Sequence, residues 1–210
     1  MIIQCKDVSK KFKNIEVLKN INIVLESGKI YGLYGRNGSG KSVFLKLLSG
    51  FYIPTEGKIL YDGKDLNNEL KYPNNLRALI ETPCFFPDLT GYENLKLLAE
   101  ITNKIGEKEI NSALEIVNLL EEKDKKYSKY SLGMKQKLGI AQVIMEDPDI
   151  MILDEPFNGV EQKTVDKLID YFCQKKKENK IIVICTHIKD DLEKLSDIVY
   201  YFDNGTISEK

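Results

Sequence analysis

Several residue types and patterns are scarce in this chain of 210 residues, which contains no tryptophan and a single histidine. No apolar run approaches the roughly 20 residues that a helix needs to span a bilayer. Residues 1–6 also lack the apolar stretch of a signal peptide. The sequence therefore predicts a chain that does not itself cross a membrane, so another chain has to supply any passage through one.

The four cysteines, Cys5, Cys84, Cys173 and Cys185, are scattered and form no C-x-x-C pair. This spacing argues against a zinc or redox site and favours reduced thiols in the cytoplasm. The formal net charge is -1, which leaves no global basic field to draw the protein onto nucleic acid or acidic lipid. We therefore expect no nucleic-acid partner.

Strand patterns lie toward both ends of the chain. Residues 30–34 and the continuous apolar runs 150–153 and 181–185 are typical of parallel strands that are covered on both faces. Residues 57–66 and 199–207 carry Asp-Gly and Asn-Gly turn signals within alternating patterns, which predict hairpins.

Helical spacing of apolar residues occupies three further segments. It runs from Val43 to Phe51, through most of residues 93–142, and from about 162 to 177. The long middle segment interrupts the strands, and this position predicts a helical insertion in an otherwise α/β chain.

A phosphate-binding loop follows the strand at 30–34, because Gly35–Ser42 fits the Walker A pattern G-x-x-x-x-G-K-[ST]. The glycines allow backbone conformations that turn successive N–H groups toward one anion. The helix that follows points the positive end of its dipole at the same place. The alternative is a glycine-rich turn without a ligand, against which the flanking strand and helix argue. The residues expected to contact nucleotide are Gly35, Asn37, Gly38, Ser39, Gly40, Lys41, Ser42 and Val43.

Charged and hydroxyl side chains near this loop suggest roles in catalysis. Lys41 can neutralise the β- and γ-phosphates, and the Ser42 hydroxyl can ligate Mg²⁺. The apolar run 150–153 ends in Asp154 and Glu155, as a Walker B strand does. Asp154 is expected to hold hydrated Mg²⁺ and Glu155 to act as general base, although alone this pair could be a polar turn.

His187, the single histidine, follows the strand at 181–185. Ligands of open parallel sheets bind at the carboxyl ends of the strands, so His187 is expected to share the edge of the sheet with Lys41 and Asp154, facing the γ-phosphate. The alternative is a histidine in a solvent-exposed loop.

Four further features resemble the nucleotide-binding subunits of ABC transporters, and with the Walker motifs they extend over nearly the whole chain. Residues 130–136, YSLGMKQ, look like the family signature LSGGQ, and Glu161 stands where the family has its D-loop aspartate. Phe12 stands where an aromatic ring stacks on adenine, and Thr186 with His187 forms the H-loop. For Phe12 the alternative is a core aromatic residue.

This resemblance implies a fold and a division of the chain. It implies an α/β P-loop NTPase core with an N-terminal antiparallel β subdomain and a helical insertion. The whole of residues 1–210 is then a single ABC ATPase domain. Its core comprises residues 1–81 and 143–210, and its helical subdomain comprises residues 82–142.

The resemblance also implies a mechanism. The chain binds ATP with Mg²⁺ and hydrolyses it to ADP and phosphate, while two subunits close head to tail as a homodimer or as a heterodimer with a paralogue. Ser131 and Gly133 of one subunit then meet the γ-phosphate that Lys41 of the other subunit holds. The helical subdomain docks on a separate integral membrane permease subunit, which places the chain at the cytoplasmic face of the cell membrane.

Four positions depart from the family pattern. Glu81 stands where the family has a glutamine, and it is expected to act at the metal site or at the coupling site, unless it faces solvent. Leu132 and Met134 replace a glycine and a glutamine of the signature, and Glu161 replaces an aspartate.

The combination of these motifs is similar to ATPases of bacitracin-resistance and lantibiotic-immunity exporters. It implies export of a peptide antibiotic or a similar amphiphile. Two alternatives stay open: an ABC-type ATPase that acts on ribosomes or DNA, and a regulatory module with slow turnover.

Overall fold

The computed structural model describes residues 1–70 and 72–209, apart from the side chains of residues 191 and 209. In chain order its strands and α-helices are β1 (Ile2–Phe12), β2 (Ile15–Glu26), β3 (Lys29–Gly35), α1 (Lys41–Leu48), β4 (Glu56–Tyr61), β5 (Lys64–Asp65), β6 (Leu76–Leu79), α2 (Gly91–Thr102), α3 (Glu107–Ile116), α4 (Leu132–Ile144), β7 (Ile150–Asp154), α5 (Gln162–Lys177), β8 (Ile181–Thr186), α6 (Lys189–Leu195), β9 (Ile198–Asp203) and β10 (Thr206–Glu209).

A six-stranded sheet with the order β10-β9-β3-β8-β7-β6 forms the centre of the fold. The five strands from β9 to β6 run parallel, and β10 pairs antiparallel with β9 as the predicted terminal hairpin. Every residue of β7 and β8 is buried, as their continuous apolar sequences predict. Because parallel strands end at the same edge, the loops after β3, β6, β7 and β8 all lie on one side of the sheet.

A second, antiparallel sheet has the order β2-β1-β4-β5. It contains the predicted hairpin of residues 57–66, in which β4 turns back into β5 at Asp62 and Gly63. A buried apolar cluster fills the space between this sheet, α1 and the central sheet. The α/β P-loop fold with an N-terminal antiparallel sheet is therefore confirmed.

Helices α2, α3 and α4 lie between β6 and β7 in the chain, and with α5 they cover the other face of the central sheet in a second apolar cluster. Helix α5 coincides with the predicted helix at 162–177. The subdomain boundaries at 82 and 142 stay a prediction. In the described part of the chain, no helix is both long and apolar enough to cross a membrane.

One helix prediction is wrong at its end. The apolar spacing predicts a helix that reaches Phe51, whereas α1 ends at Leu48 and Phe51 is exposed. The reason is Gly50, which has a φ of 75°, a left-handed conformation that stops helices and that glycine adopts without steric cost.

Candidate functional site

A cavity of about 560 Å³ opens at the edge where the parallel strands end. Its walls come from the loop before α1, the segment after β6, the start of α4 and the segment after β7. The predicted site residues that line it are Asn37, Gly38, Gly40, Lys41, Ser42, Val43, Glu81, Asp154 and Glu155. Five residues that we did not predict also line it: Val17, Thr82, Leu132, Gln136 and Asn158.

The loop between β3 and α1 is shaped to receive an anion. Gly38 and Gly40 have φ values of 80° and 109°, and a Cβ atom added to Gly40 would lie 2.7 Å from the Leu18 side chain. Gly40 is also the N-cap of α1 and offers no side-chain hydrogen bond, so the first N–H groups of this helix are left for another acceptor. The hydroxyl oxygen of Ser39 is buried and has no hydrogen-bond partner.

The Lys41 ammonium group is held inside this loop. Its Nζ donates hydrogen bonds to the Gly35 carbonyl oxygen at 2.6 Å and to the Arg36 carbonyl oxygen at 3.1 Å. Both acceptors are neutral, and among the described residues no carboxylate forms an ion pair with Lys41. The buried positive charge is therefore free to attract an anionic ligand.

Two oxygen groups that suit a magnesium ion meet at the base of the cavity. The Ser42 hydroxyl donates to Asp154 Oδ2 at 2.6 Å and thereby links the start of α1 to the end of β7. Hydroxyl and carboxylate oxygens are ligands that Mg²⁺ prefers. Burial, and then the neighbouring charge of Asp154, raises the pKa of the Cys185 thiol above its usual range, so this thiol stays neutral beside the carboxylate.

Glu155 and His187 form a pair at the same edge. Glu155 Oε1 lies 2.9 Å from His187 Nδ1, while Glu155 Oε2 is buried without a hydrogen-bond partner. The backbone N–H of Glu155 donates to the Cys185 carbonyl oxygen at 2.7 Å, and Gln136 Nε2 donates to the Glu155 carbonyl oxygen at 3.0 Å. The backbone of Glu155 is thus fixed on two sides, and one carboxylate oxygen is left for a further donor.

Glu81 lies after β6 with a φ of 63°. It lines the cavity together with Thr82, and its carboxylate forms an ion pair with Lys46 of α1. Because 62% of the Glu81 side chain is exposed, its carboxylate lies at the rim of the cavity and is open to solvent.

Sequence matches to known proteins cover the whole chain. A family model described as ABC transporter matches residues 18–158. YybJ, an uncharacterized ABC transporter ATP-binding protein of Bacillus subtilis, is 40% identical, and the match covers 100% of this chain and 97% of the relative. The chain belongs to the ABC transporter family of ATP-binding proteins. It is therefore an ATPase of the ABC class.

Other relatives of this ABC ATPase have names that specify a transport function. The bacitracin transport ATP-binding protein BcrA of Enterococcus faecalis is 36% identical, over 100% of this chain and 68% of the relative. The lantibiotic transport ATP-binding protein SrtF of Streptococcus pyogenes is 31% identical, over 98% of this chain and 89% of the relative. These matches confirm the resemblance to bacitracin and lantibiotic ATPases.

Solved structures agree with the fold. An ATP-binding subunit of an ABC transporter superposes with a TM-score of 0.89 at 27% identity, covering 100% of this chain and 90% of that one. A dimeric ATP-binding cassette, MJ0796, bound to ADP and phosphate, has a TM-score of 0.89 at 23% identity, covering 99% of this chain and 97% of that one.

Six predicted site residues of this ABC ATPase do not line the cavity: Phe12, Gly35, Ser39, Ser131, Gly133 and His187. His187 reaches the site only through Glu155. The Phe12 ring is 37% exposed and packs edge-on against Tyr52 with ring centroids 5.4 Å apart. It is therefore a surface aromatic group, and the alternative of a core residue is not supported.

Ser131 and Gly133 lie at the start of α4. Ser131 caps this helix, since its Oγ accepts a hydrogen bond from the Met134 backbone N–H at 3.2 Å. A Cβ atom added to Gly133 would lie 2.2 Å from the Gly159 carbonyl oxygen. The glycine is therefore required by the packing of α4 against the D-loop of its own chain, whatever it contacts elsewhere.

The D-loop glutamate is anchored to the same helix. Lys137, a buried residue of α4, forms an ion pair with Glu161 with an Nζ to Oε2 distance of 3.3 Å. A hydrogen bond from its own backbone N–H, and then the charge of Lys137, hold the pKa of Glu161 below its usual range. A lysine and a glutamate thus join the signature helix to the loop after Walker B.

Three contacts at this site were missed from the sequence. They are the hydrogen bond of Gln136 to Glu155, the ion pair of Lys46 with Glu81, and the contact of Val17 with the cavity, which it lines. Gln136 lies within the signature segment, so its position in the sequence could have identified it as a site residue. Nothing in the sequence around Lys46 or Val17 distinguishes them from ordinary surface and strand residues.

Proposed function

We propose that this chain is the ATP-hydrolysing subunit of an exporter and that it powers the passage of a peptide antibiotic, or a similar amphiphile, through a separate membrane subunit. The observation that carries the proposal is the convergence of Lys41, the Ser42–Asp154 pair and the Glu155–His187 pair at one edge of the sheet. The transport functions named for BcrA and SrtF support the exporter part.

In this account the loop before α1 binds the phosphates of ATP. The backbone N–H groups of the loop and of the first turn of α1 donate to the phosphate oxygens. The Lys41 ammonium group exchanges its carbonyl acceptors for β- and γ-phosphate oxygens. The unpartnered hydroxyl of Ser39 supplies one more donor, and the exposed ring of Phe12 stacks on adenine.

Mg²⁺ fits the oxygen groups at the base of the cavity. Ser42 and Asp154 would hold the hydrated ion, and Glu81 would supply a further carboxylate at the rim of the cavity. When bound, the ion neutralises charge that develops on the phosphates.

Glu155 accepts a proton from the attacking water. Its Oε2 atom is buried and lacks a hydrogen-bond partner, so it can orient a water molecule for attack on the γ-phosphorus. The bond between the γ-phosphorus and the bridging oxygen breaks, and the products are ADP and inorganic phosphate. His187 lies 2.9 Å from the other carboxylate oxygen, and in this account it faces the γ-phosphate once ATP is bound.

Assembly completes the site. Two copies, or this chain and a paralogue, close head to tail so that Ser131 and Gly133 of one chain meet the γ-phosphate held by the other. The free N–H groups at the start of α4 favour such an anionic contact. The segment from 82 to 142 carries exposed apolar side chains, among them Phe86 and Ile101, which suit docking on a membrane subunit at the cytoplasmic face.

A regulatory module that binds ATP but turns it over slowly is the second candidate, because Glu81, Leu132 and Glu161 depart from the family pattern. Action on ribosomes or DNA has less support, since the net charge is -1. Turnover measured on the purified chain separates a motor from a regulatory module.

The Glu155→Gln variant tests the chemistry. We expect ATP hydrolysis to fall by about 100-fold or more, because the general base is lost, while ATP binding is retained. Turnover and binding of ATP are measured with Glu115→Gln, an exposed carboxylate of α3, as the matched control. Hydrolysis near the wild-type rate in Glu155→Gln would show that another group is the base.

A further inference from the structure

The ion pair between Lys46 and Glu81 joins two elements at the rim of the nucleotide cavity. Lys46 Nζ lies 2.5 Å from Glu81 Oε1, across 35 residues of sequence. Glu81 lines the cavity, whereas Lys46 reaches it only through this contact. The pair therefore places a cation directly behind a carboxylate that lines the cavity.

The lysine is the fixed member of the pair. Only 16% of the Lys46 side chain is exposed, compared with 62% of the Glu81 side chain. Lys46 extends from the last turn of α1, and its Nζ lies 5.5 Å from the centre of the Tyr52 ring. Because α1 begins at the phosphate loop, the lysine is carried by the same rigid element that binds phosphate.

The charge of Lys46 offsets the charge of Glu81 at the rim of the cavity. A glutamate at position 81 adds one negative charge beside a site that has to bind the polyanion ATP, and like charges within a few ångströms repel. Paired with Lys46, the rim is neutral. With Lys46 removed, the rim carries one uncompensated negative charge.

We infer that Lys46 is the positioning residue and charge partner of Glu81, and that it allows this chain to place a carboxylate, instead of an amide, beside the γ-phosphate and its metal ion. The inference rests on the placement of Glu81 at the nucleotide site under the proposed function. Lys46 itself touches neither nucleotide nor metal in this account, and it acts through the carboxylate.

The test is the affinity for ATP in the absence of Mg²⁺, measured for the wild type, Lys46→Met, Glu81→Gln and the double variant. Methionine keeps the unbranched stem against the Tyr52 ring and removes the charge. We expect Lys46→Met to weaken ATP binding about three- to tenfold through repulsion, and Glu81→Gln to strengthen it. The double variant restores neutrality and returns to the wild-type affinity.

Two controls separate charge balance from a structural effect. Lys29→Met removes the cation of an exposed ion pair with Glu26 that lies away from the cavity, and ATP affinity should not change. Lys46→Arg keeps the charge and should bind ATP like the wild type. If Lys46→Met does not fold, Lys46→Gln, which also removes the charge, replaces it and should weaken ATP binding to a similar extent.

A double variant that binds as weakly as Lys46→Met would overturn the inference, because Lys46 would then act independently of Glu81. An unchanged affinity in Lys46→Met would overturn it as well. If Glu81→Gln alters neither ATP affinity nor turnover, the placement of Glu81 in the proposed function is wrong, and the inference falls with it.

Discussion

Two glutamates at the cavity, Glu81 and Glu155, have backbone conformations that glutamate seldom adopts. Their φ values are 63° and 48°, and most of the other non-glycine residues with positive φ in the described chain are asparagine or aspartate. A bulky side chain in the left-handed region costs roughly 1–3 kcal/mol and persists where the surroundings enforce it. At both positions a strand ends and the chain turns sharply, which directs the carboxylate over the edge of the sheet.

At the residue scale, the exposed ring of Phe12 provides a clear test of nucleotide binding. We expect Phe12→Ala to weaken ATP binding several-fold, because stacking of an aromatic ring on a base contributes about 1–3 kcal/mol. The matched control is Ile15→Ala, which removes an exposed apolar side chain from the facing strand of the same hairpin. ATP titrations decide the matter, and an unchanged affinity in Phe12→Ala would contradict adenine stacking.

At the scale of elements, the N-termini of the helices are capped in different ways. Helix α2 begins with a complete capping box, in which the Thr90 hydroxyl accepts from the Glu93 N–H and the Glu93 carboxylate accepts from the Thr90 N–H. The latter contact holds the pKa of Glu93 below its usual range. Helix α1 instead begins at Gly40 without a side-chain cap. The first N–H groups of the helix that carries the phosphate loop thus stay available for a ligand.

Removal of the α2 cap should therefore cost stability but not nucleotide binding. We expect Thr90→Ala to lower the free energy of unfolding by about 1 kcal/mol, and Thr90→Ser, which keeps the hydroxyl, to stay close to the wild type. Denaturant unfolding measures the difference, with ATP affinity as the second readout. A change in ATP affinity without a loss of stability would contradict a purely structural role for this cap.

The elements differ in how far the sequence predicts them. Strands β7 and β8 and helix α5 follow from their apolar patterns, because burial on both faces or along one stripe determines those patterns. The end of α1 does not follow from its apolar pattern. Apolar residues continue at helical spacing to Phe51, and only the left-handed conformation of Gly50 stops the helix. The register shifts within β1 also have no counterpart in the sequence, because they arise from pairing with two neighbouring strands.

At the scale of the whole molecule, the parallel sheet gathers the site from distant parts of the chain. The motifs could be ordered from the sequence because each carries its own local pattern. The contacts between the motifs could not be predicted from the sequence, because Lys46 contacts Glu81 across 35 residues and Gln136 contacts Glu155 across 19. Such pairs depend on how the helical segment sits against the sheet, which no local pattern specifies.

The central claim, that this ATPase drives a membrane transporter, is tested most directly by a pull-down of the tagged chain from gently solubilised cells. We expect recovery of a polytopic membrane protein, identified by mass spectrometry, and reduced recovery with Phe86→Asp but not with the exposed-site control Ile15→Asp. Recovery of ribosomal proteins or DNA-bound factors without any membrane protein would contradict the transport function and leave the ATPase chemistry in place.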